Sequence, residues 1–179
     1  MSTSASSMCE ETSRLERETH MPVSGDEFRR ALSQFASGVT IVTTRDAAGQ
    51  PLGLTVSAFC SVSLEPPLVL VCVDKKASSY SGFLESRAFV VNILAEDQQE
   101  LSRRFATKDL KKFEGVLYRA GIEGIPVLEG AVANLECRLV HAYEGGDHTI
   151  FVGGVEKTSV REDVLPLLYF RGSYRRLQS

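Results

Sequence analysis

The spacing of apolar residues changes from a helical to a strand-like period early in the chain. In "SGDEFRRALSQFA" Phe28, Ala31, Leu32 and Phe35 fall on one helical stripe, and Ser24 and Glu27 have the separation of a capping box, so a helix is predicted there. From Gly38 onward short apolar runs bounded by Gly and Pro take over: "GVTIVTT", "LGLTVSAF", "LVLVCVD" and "AFVVNIL" read as strands. Two stretches break the series, and "ASSYSGFLES" and "EDQQELSRRFA" are predicted as helices. "EGVLYRAGIEGIPVLEG" has no clean period and reads as irregular. In "AVANLECRLVH" Ala131, Ala133, Leu135, Cys137 and Leu139 alternate with Asn134, Glu136 and Arg138, which predicts a strand with one dry and one wet face. "HTIFVGGVEK" and "PLLYF" bring the total to about seven strands. Short strands, Gly/Pro turns and few peripheral helices favour a mainly β fold, a closed antiparallel barrel, over a doubly wound parallel sheet.

Composition narrows the partners. A chain of 179 residues, 43% hydrophobic and 24% charged, suits one soluble domain. The boundaries expected are residues 24–179 for the domain and 1–23 for a Ser/Thr/Glu-rich flexible tail. A net charge of -3 argues against nucleic acid as the main ligand, because phosphates demand a basic surplus. No apolar run approaches the ~20 residues of a membrane span, and the start lacks a signal-peptide core, so a cytoplasmic protein is expected. Cys60, Cys72 and Cys137 lie in apolar stretches and read as buried free thiols; neither they nor the three histidines have metal-site spacing.

Motifs for a Rossmann phosphate loop, a nucleophile elbow or a zinc-binding helix are absent. Three stretches remain as candidate chemistry. "VDKKASSYSGF" runs from a strand end into a predicted helix, with Lys75, Lys76, Ser78 and Ser79 at the junction. Two readings stand there: a phosphate site, or Ser78 capping a helix beside a solvated turn. In "LTVSAFCSVSLEPP" the small hydroxyl residues Thr55, Ser57, Ser61 and Ser63 take alternate positions, as suits either a face left open for a flat ligand or a wet edge strand. In "GDHTIFVGGV" His148 heads a strand, with Ile150 and Val152 on its face, and is either structural or rim-facing.

Taken together, "FRRALSQFASGVTIVTT", "GLTVSAFCSVSLEPPLVLVCVDKKA", "FVVNIL", "LSRRFA", "GDHTIFVGGV" and "PLLYFRGSYRRL" resemble the short-chain flavin reductases, the reductase components of two-component flavin-dependent monooxygenases. The resemblance spans roughly residues 26 to 177. It implies an FMN-binding split barrel, a homodimer, and hydride transfer from NADH or NADPH to FMN or FAD, with reduced flavin passing to a partner monooxygenase. It further implies that Thr55, Val56, Ser57, Ala58 and Ser61 line the isoalloxazine and ribityl chain. Val73, Asp74, Lys75, Ser78 and Ser79 would surround the flavin phosphate, and Phe105 is the flavin-proximal aromatic. His148 with Tyr169, Phe170, Arg171 and Gly172 would meet the nicotinamide nucleotide, with NADH favoured. The cofactors carry the hydride chemistry, so neither a catalytic acid or base nor a metal is called for. The stretches "FASGVTIV" and "LSRRFA" are the implied dimer contact. A flavin-retaining electron carrier and a non-catalytic binding module on the same barrel are the alternatives.

Overall fold

The computed structural model describes residues 23–109 and 111–177. The predicted tail therefore lies almost wholly outside the described residues. The chain divides after Phe35 into two units, taken separately below.

In the first unit the helix α1, Gly25–Leu32, starts on the predicted capping box: the Ser24 Oγ accepts from Glu27 N–H, and the Glu27 carboxylate accepts from Ser24 N–H at 2.9 Å. None of its residues is buried. Phe28, Leu32 and Phe35 are 55%, 57% and 79% exposed, so the apolar stripe has no cover among the described residues.

The second unit holds β1 Ser37–Gly38, β2 Thr40–Arg45, β3 Pro51–Val56, β4 Phe59–Leu64, β5 Pro67–Asp74, α2 Tyr80–Ser86, β6 Ala88–Ile93 and α3 Gln99–Phe105. After these come β7 Tyr118–Ala120, β8 Pro126–Leu128, β9 Ala133–Gly145, β10 His148–Val160, β11 Leu168–Phe170 and β12 Ser173–Arg175. Seven strands form one antiparallel sheet in the order β3-β2-β6-β9-β10-β5-β4. Its two edge strands, β3 and β4, are consecutive in sequence and joined only by Ser57 and Ala58. A link that short forces the two edges together at one end, so the sheet must roll up. Ala58 O accepts the Cys72 N–H at 3.1 Å, tying the link to β5, while β3 and β4 do not pair along their length. The result is a split antiparallel barrel. Within the described residues no helix is long and apolar enough to cross a membrane.

Inside the barrel Val42, Val71, Val73, Phe83, Phe89 and Phe151 pack as one cluster, with the Phe83 and Phe151 rings stacked at 5.3 Å. β2 is buried on both faces: Val42 points into this cluster, while Ile41 joins Val39, Leu94, Phe105, Leu128 and Leu167 in a second one beneath α3. In the stretches "FASGVTIV" and "LSRRFA" the side chains of Val39, Ile41, Val42 and Phe105 are buried within the protomer, whereas Phe35 is exposed.

Three sequence expectations change. The run from Thr55 to Ser63 is not one strand, because the chain breaks at Ser57–Ala58 and shifts register between Ser61 and Ser63; the four hydroxyls therefore do not share a face. The "wet" face of β9 is partly dry. The stretch expected to be irregular forms β7, a 3-10 turn at Ile122–Gly124 and β8, and covers it, leaving Asn134 8% and Glu136 3% exposed. Both polar groups are satisfied: Glu136 accepts from Ile122 N–H at 2.7 Å and Arg119 at 3.1 Å, and Asn134 donates to Asn92 Oδ1 at 2.9 Å. Lastly, Cys60 is exposed and Cys72 half-buried; only Cys137 is fully buried, its thiol pushed up to about 12, chiefly by that burial.

Candidate functional site

A cavity flanking α3 has a volume of about 230 Å³ and lies between β3, the end of β5 and the segment following α3. From the sequence candidates it gathers Thr55, Asp74, Ser78, Ser79 and Phe105. β3 brings Thr55, whose Oγ1 donates to Ser102 O of α3 at 2.6 Å. The ring of Phe105 lies against bare backbone at Gly53, where an added Cβ would meet it at 3.0 Å and Val42 O at 3.2 Å. A glycine at that point lets α3 sit close to β3. Phe113 meets the Phe105 ring edge-on at 4.9 Å and fixes it from the other side.

Ser79 is the N-cap residue of α2, yet its side chain caps nothing. The residue is 2% exposed and its Oγ has no hydrogen-bond partner. With only seven residues, α2 has little dipole to offer, so an anion here must rely on side chains. Of the lysines there, sequence reasoning named Lys76 at the junction and passed over Lys108 and Lys112. Lys76, Lys108 and Lys112 line the cavity against a single carboxylate, Asp74. Lys112 is 6% exposed, and its ammonium donates to two backbone carbonyls, Gly53 O at 3.2 Å and Phe105 O at 3.3 Å. Burial, partly opposed by Asp109, pulls its pKa below the usual lysine value. The basic run after "RRFA" was the available signal. It could not tell Lys111, exposed beside Glu114 at 3.6 Å, from the buried Lys112.

Other candidates lie elsewhere. Val56 and Val73 are 5% and 0% exposed, their side chains in the barrel core, so they offer only backbone. Ser57 and Ala58 form the link at the barrel seam, and Ser61 lies exposed on β4. Lys75 turns away from the cavity: Glu144 holds its ammonium, with Gly146 O as a second acceptor at 2.9 Å, and the Glu144 carboxylate raises its pKa. Lys76 takes the place expected of it.

His148 opens β10 opposite Asp74 in the β5 register, which puts it beside the cavity. Its Nδ1 is 2.7 Å from Asp147 Oδ1. A carboxylate only accepts, so Nδ1 carries the proton and Nε2 is the outward nitrogen. The same hydrogen bond is the main cause holding the Asp147 carboxyl below its usual range. Tyr169, Phe170, Arg171 and Gly172 lie on a different sheet, β1-β11-β12. Arg171 and Gly172 have φ of 49° and 74°, the two left-handed positions of a tight hairpin, and the Arg171 guanidinium sits 5.0 Å from the Phe170 ring centre.

The cavity fits a flavin tail: an orphan buried hydroxyl and a surplus of ammonium groups are donors awaiting an anion. Comparison with known proteins agrees. Residues 32–178 match the model of the flavin reductase like domain. The reductase subunit HsaB of a flavin-dependent monooxygenase from Rhodococcus jostii is 42% identical over 147 residues, covering 82% of this chain and 75% of that one. The FMN reductase (NADH) SmoA of Agrobacterium fabrum is 42% identical over 161 residues, with 88% and 91% covered. Among solved structures, the NADH:FAD oxidoreductase SgcE6 of Streptomyces globisporus, in complex with NAD and FAD fragments, superimposes with a TM-score of 0.80 at 39% identity, covering 85% of this chain and 92% of that one. With the split barrel, the cavity and these similarities in agreement, the chain belongs to the flavin reductase family.

Proposed function

We propose that the protein is an NADH-dependent flavin reductase that reduces FMN or FAD and supplies the product to a partner monooxygenase. The observation that carries this reading is the cavity: three lysines, an unpaired buried serine hydroxyl and the Phe105 ring on one side of a barrel rim, with His148 alongside. A flavin bound there supplies the redox chemistry, taking a hydride from the reduced nicotinamide. The chain's own residues bind and orient. Ser79 and the lysines hold the phosphorylated tail, Phe105 and Thr55 bound the space toward the ring, and His148 offers Nε2 to the nicotinamide carboxamide.

The names borne by the relatives, FMN reductase (NADH) and monooxygenase reductase subunit, support NADH as donor and an oxygenase as consumer. A homodimer belongs to the same reading. Leu68, Leu70 and Cys72 of β5 stand opposite Gly154, Val152 and Ile150 of β10 on the outer face of the barrel, and the three β5 side chains and Ile150 are partly exposed. Tyr169 to Gly172 come from another sheet, and their part in nucleotide binding is proposed on the family resemblance alone.

Anaerobic mixing with NADH and catalytic amounts of protein tests the function. Absorbance of added FMN or FAD near 450 nm should bleach at a rate proportional to protein. Flavin that stays bound through gel filtration without turnover would instead mark an electron carrier, and no bleaching with any flavin would refute reductase activity.

A further inference from the structure

We infer that Lys75 is a positioning residue that pins the β9–β10 hairpin loop and so fixes where His148 stands at the cavity edge. The inference rests on the proposed contact of His148 with the nicotinamide nucleotide and adds what holds that histidine in place.

The hairpin end is bare. Residues 140–147 are all exposed, and the pairing of β10 with β5 starts only at His148, opposite Asp74. Its two-residue loop, Gly146 and Asp147, follows Gly145, and Gly146 takes a φ of 71°. Two adjacent glycines in a loop without cover leave the backbone a freedom that something outside the hairpin must remove. Among the described residues, every hydrogen bond that reaches residues 144–147 from outside the hairpin comes from Lys75. Its N–H donates to Asp147 O at 3.1 Å, and its ammonium donates to Gly146 O at 2.9 Å and to the Glu144 carboxylate. Asp147 is also the residue whose carboxylate, 2.7 Å from Nδ1, orients the His148 ring. Lys75 therefore holds the backbone of the residue that aims the imidazole. Lys75 is itself held in a tight turn, in which Lys76 N–H donates to Asp74 Oδ1 at 2.8 Å and Ala77 N–H to Asp74 O at 2.9 Å. From that turn Lys76 lines the cavity while Lys75 reaches the hairpin, so one short segment ties the two together.

A surface ion pair without consequence is one rival account, since the Glu144 side chain is 80% exposed and such pairs contribute little. The other rival has the Lys75 ammonium swing across to the flavin phosphate. Kinetics separate the three. NADH oxidation at saturating FMN, and FMN binding by fluorescence quenching, are measured for the wild type, Lys75→Met, Lys75→Arg, His148→Ala and the double variant Lys75→Met/His148→Ala. Lys75→Met should raise the KM for NADH about fivefold, with kcat and the Kd for FMN within about twofold of wild type, because the loop loses a charge-assisted hydrogen bond and the flavin loses none. Lys75→Arg keeps the cation and its donors, and should bring the KM back to within about twofold of wild type. In the double variant the Lys75 effect should vanish, leaving the KM of His148→Ala, because a group that is absent cannot be misplaced. An unchanged KM in Lys75→Met, or the same rise with and without His148, overturns the inference and leaves the reductase reading standing. A Kd for FMN that weakens as much as the KM rises overturns it too, and returns Lys75 to the flavin phosphate. If His148→Ala leaves the KM for NADH unchanged, the nucleotide contact falls and the inference falls with it.

Discussion

His148 is an ordinary strand-heading histidine by sequence, and what changes its meaning is Asp147. The carboxylate at 2.7 Å from Nδ1 fixes the tautomer and leaves Nε2 as the acceptor nitrogen, on a residue paired in register with Asp74 of the cavity lining. If that nitrogen holds the nicotinamide and not the flavin, His148→Ala should raise the KM for NADH about tenfold while the Kd for FMN changes less than twofold; the scale is that of one lost hydrogen bond in a bound complex. Steady-state kinetics beside a flavin titration checks it, and equal loss of both affinities would refute the assignment. Single residues were the least legible scale in the sequence. Lys75 and Lys76 are neighbours in one basic pair, and only the hairpin carrying Glu144 and Gly146 draws Lys75 away from the site.

At the level of elements, legibility followed locality. The capping box of α1, both helices of the barrel unit and the β5 and β6 strands depend on residues close in sequence, and they form where their patterns put them. The errors lie where distant chain decides. The face of β9 bearing Asn134 and Glu136 looks wet until β7 and β8 fold over it, and the hydroxyl series from Thr55 to Ser63 is cut by a link that exists only because the sheet closes there. Gly53 is a further case: nothing local requires glycine, yet α3 packs through it. Gly53→Ala should push the Phe105 ring off β3, lowering stability by about 1–3 kcal/mol, as overpacked cores do, and weakening FMN binding with it. Thermal unfolding and a flavin titration on the same variant test this. Unchanged melting with unchanged affinity would mean that α3 yields without reaching the cavity.

For the whole molecule, the antiparallel barrel was readable from short strands and turn residues, and a contact between copies is argued from the surface the barrel leaves exposed. In the apolar stretches the family resemblance pointed to, "FASGVTIV" and "LSRRFA", Val39, Ile41 and Phe105 are taken up by the core beneath α3 and Val42 by the barrel interior, while Phe35 is exposed. Within the barrel the outer face of β5 and β10 is one apolar surface left partly uncovered. There Leu68, Leu70, Cys72 and Ile150 are partly exposed, on the opposite side of the sheet from Val69, Val71 and Val73 in the barrel interior. A sheet face apolar on both sides is unusual for a strand pair that meets water, and a second copy related by a two-fold axis is the simplest cover. Light scattering should then give twice the chain mass of 19.6 kDa. Leu70→Glu should give one chain mass with an unchanged circular dichroism spectrum, because its carboxylate would be buried near its own copy in the dimer and solvated in the monomer. A wild type that runs at a single chain mass, or a Leu70→Glu variant that remains dimeric, would move the interface elsewhere or remove it.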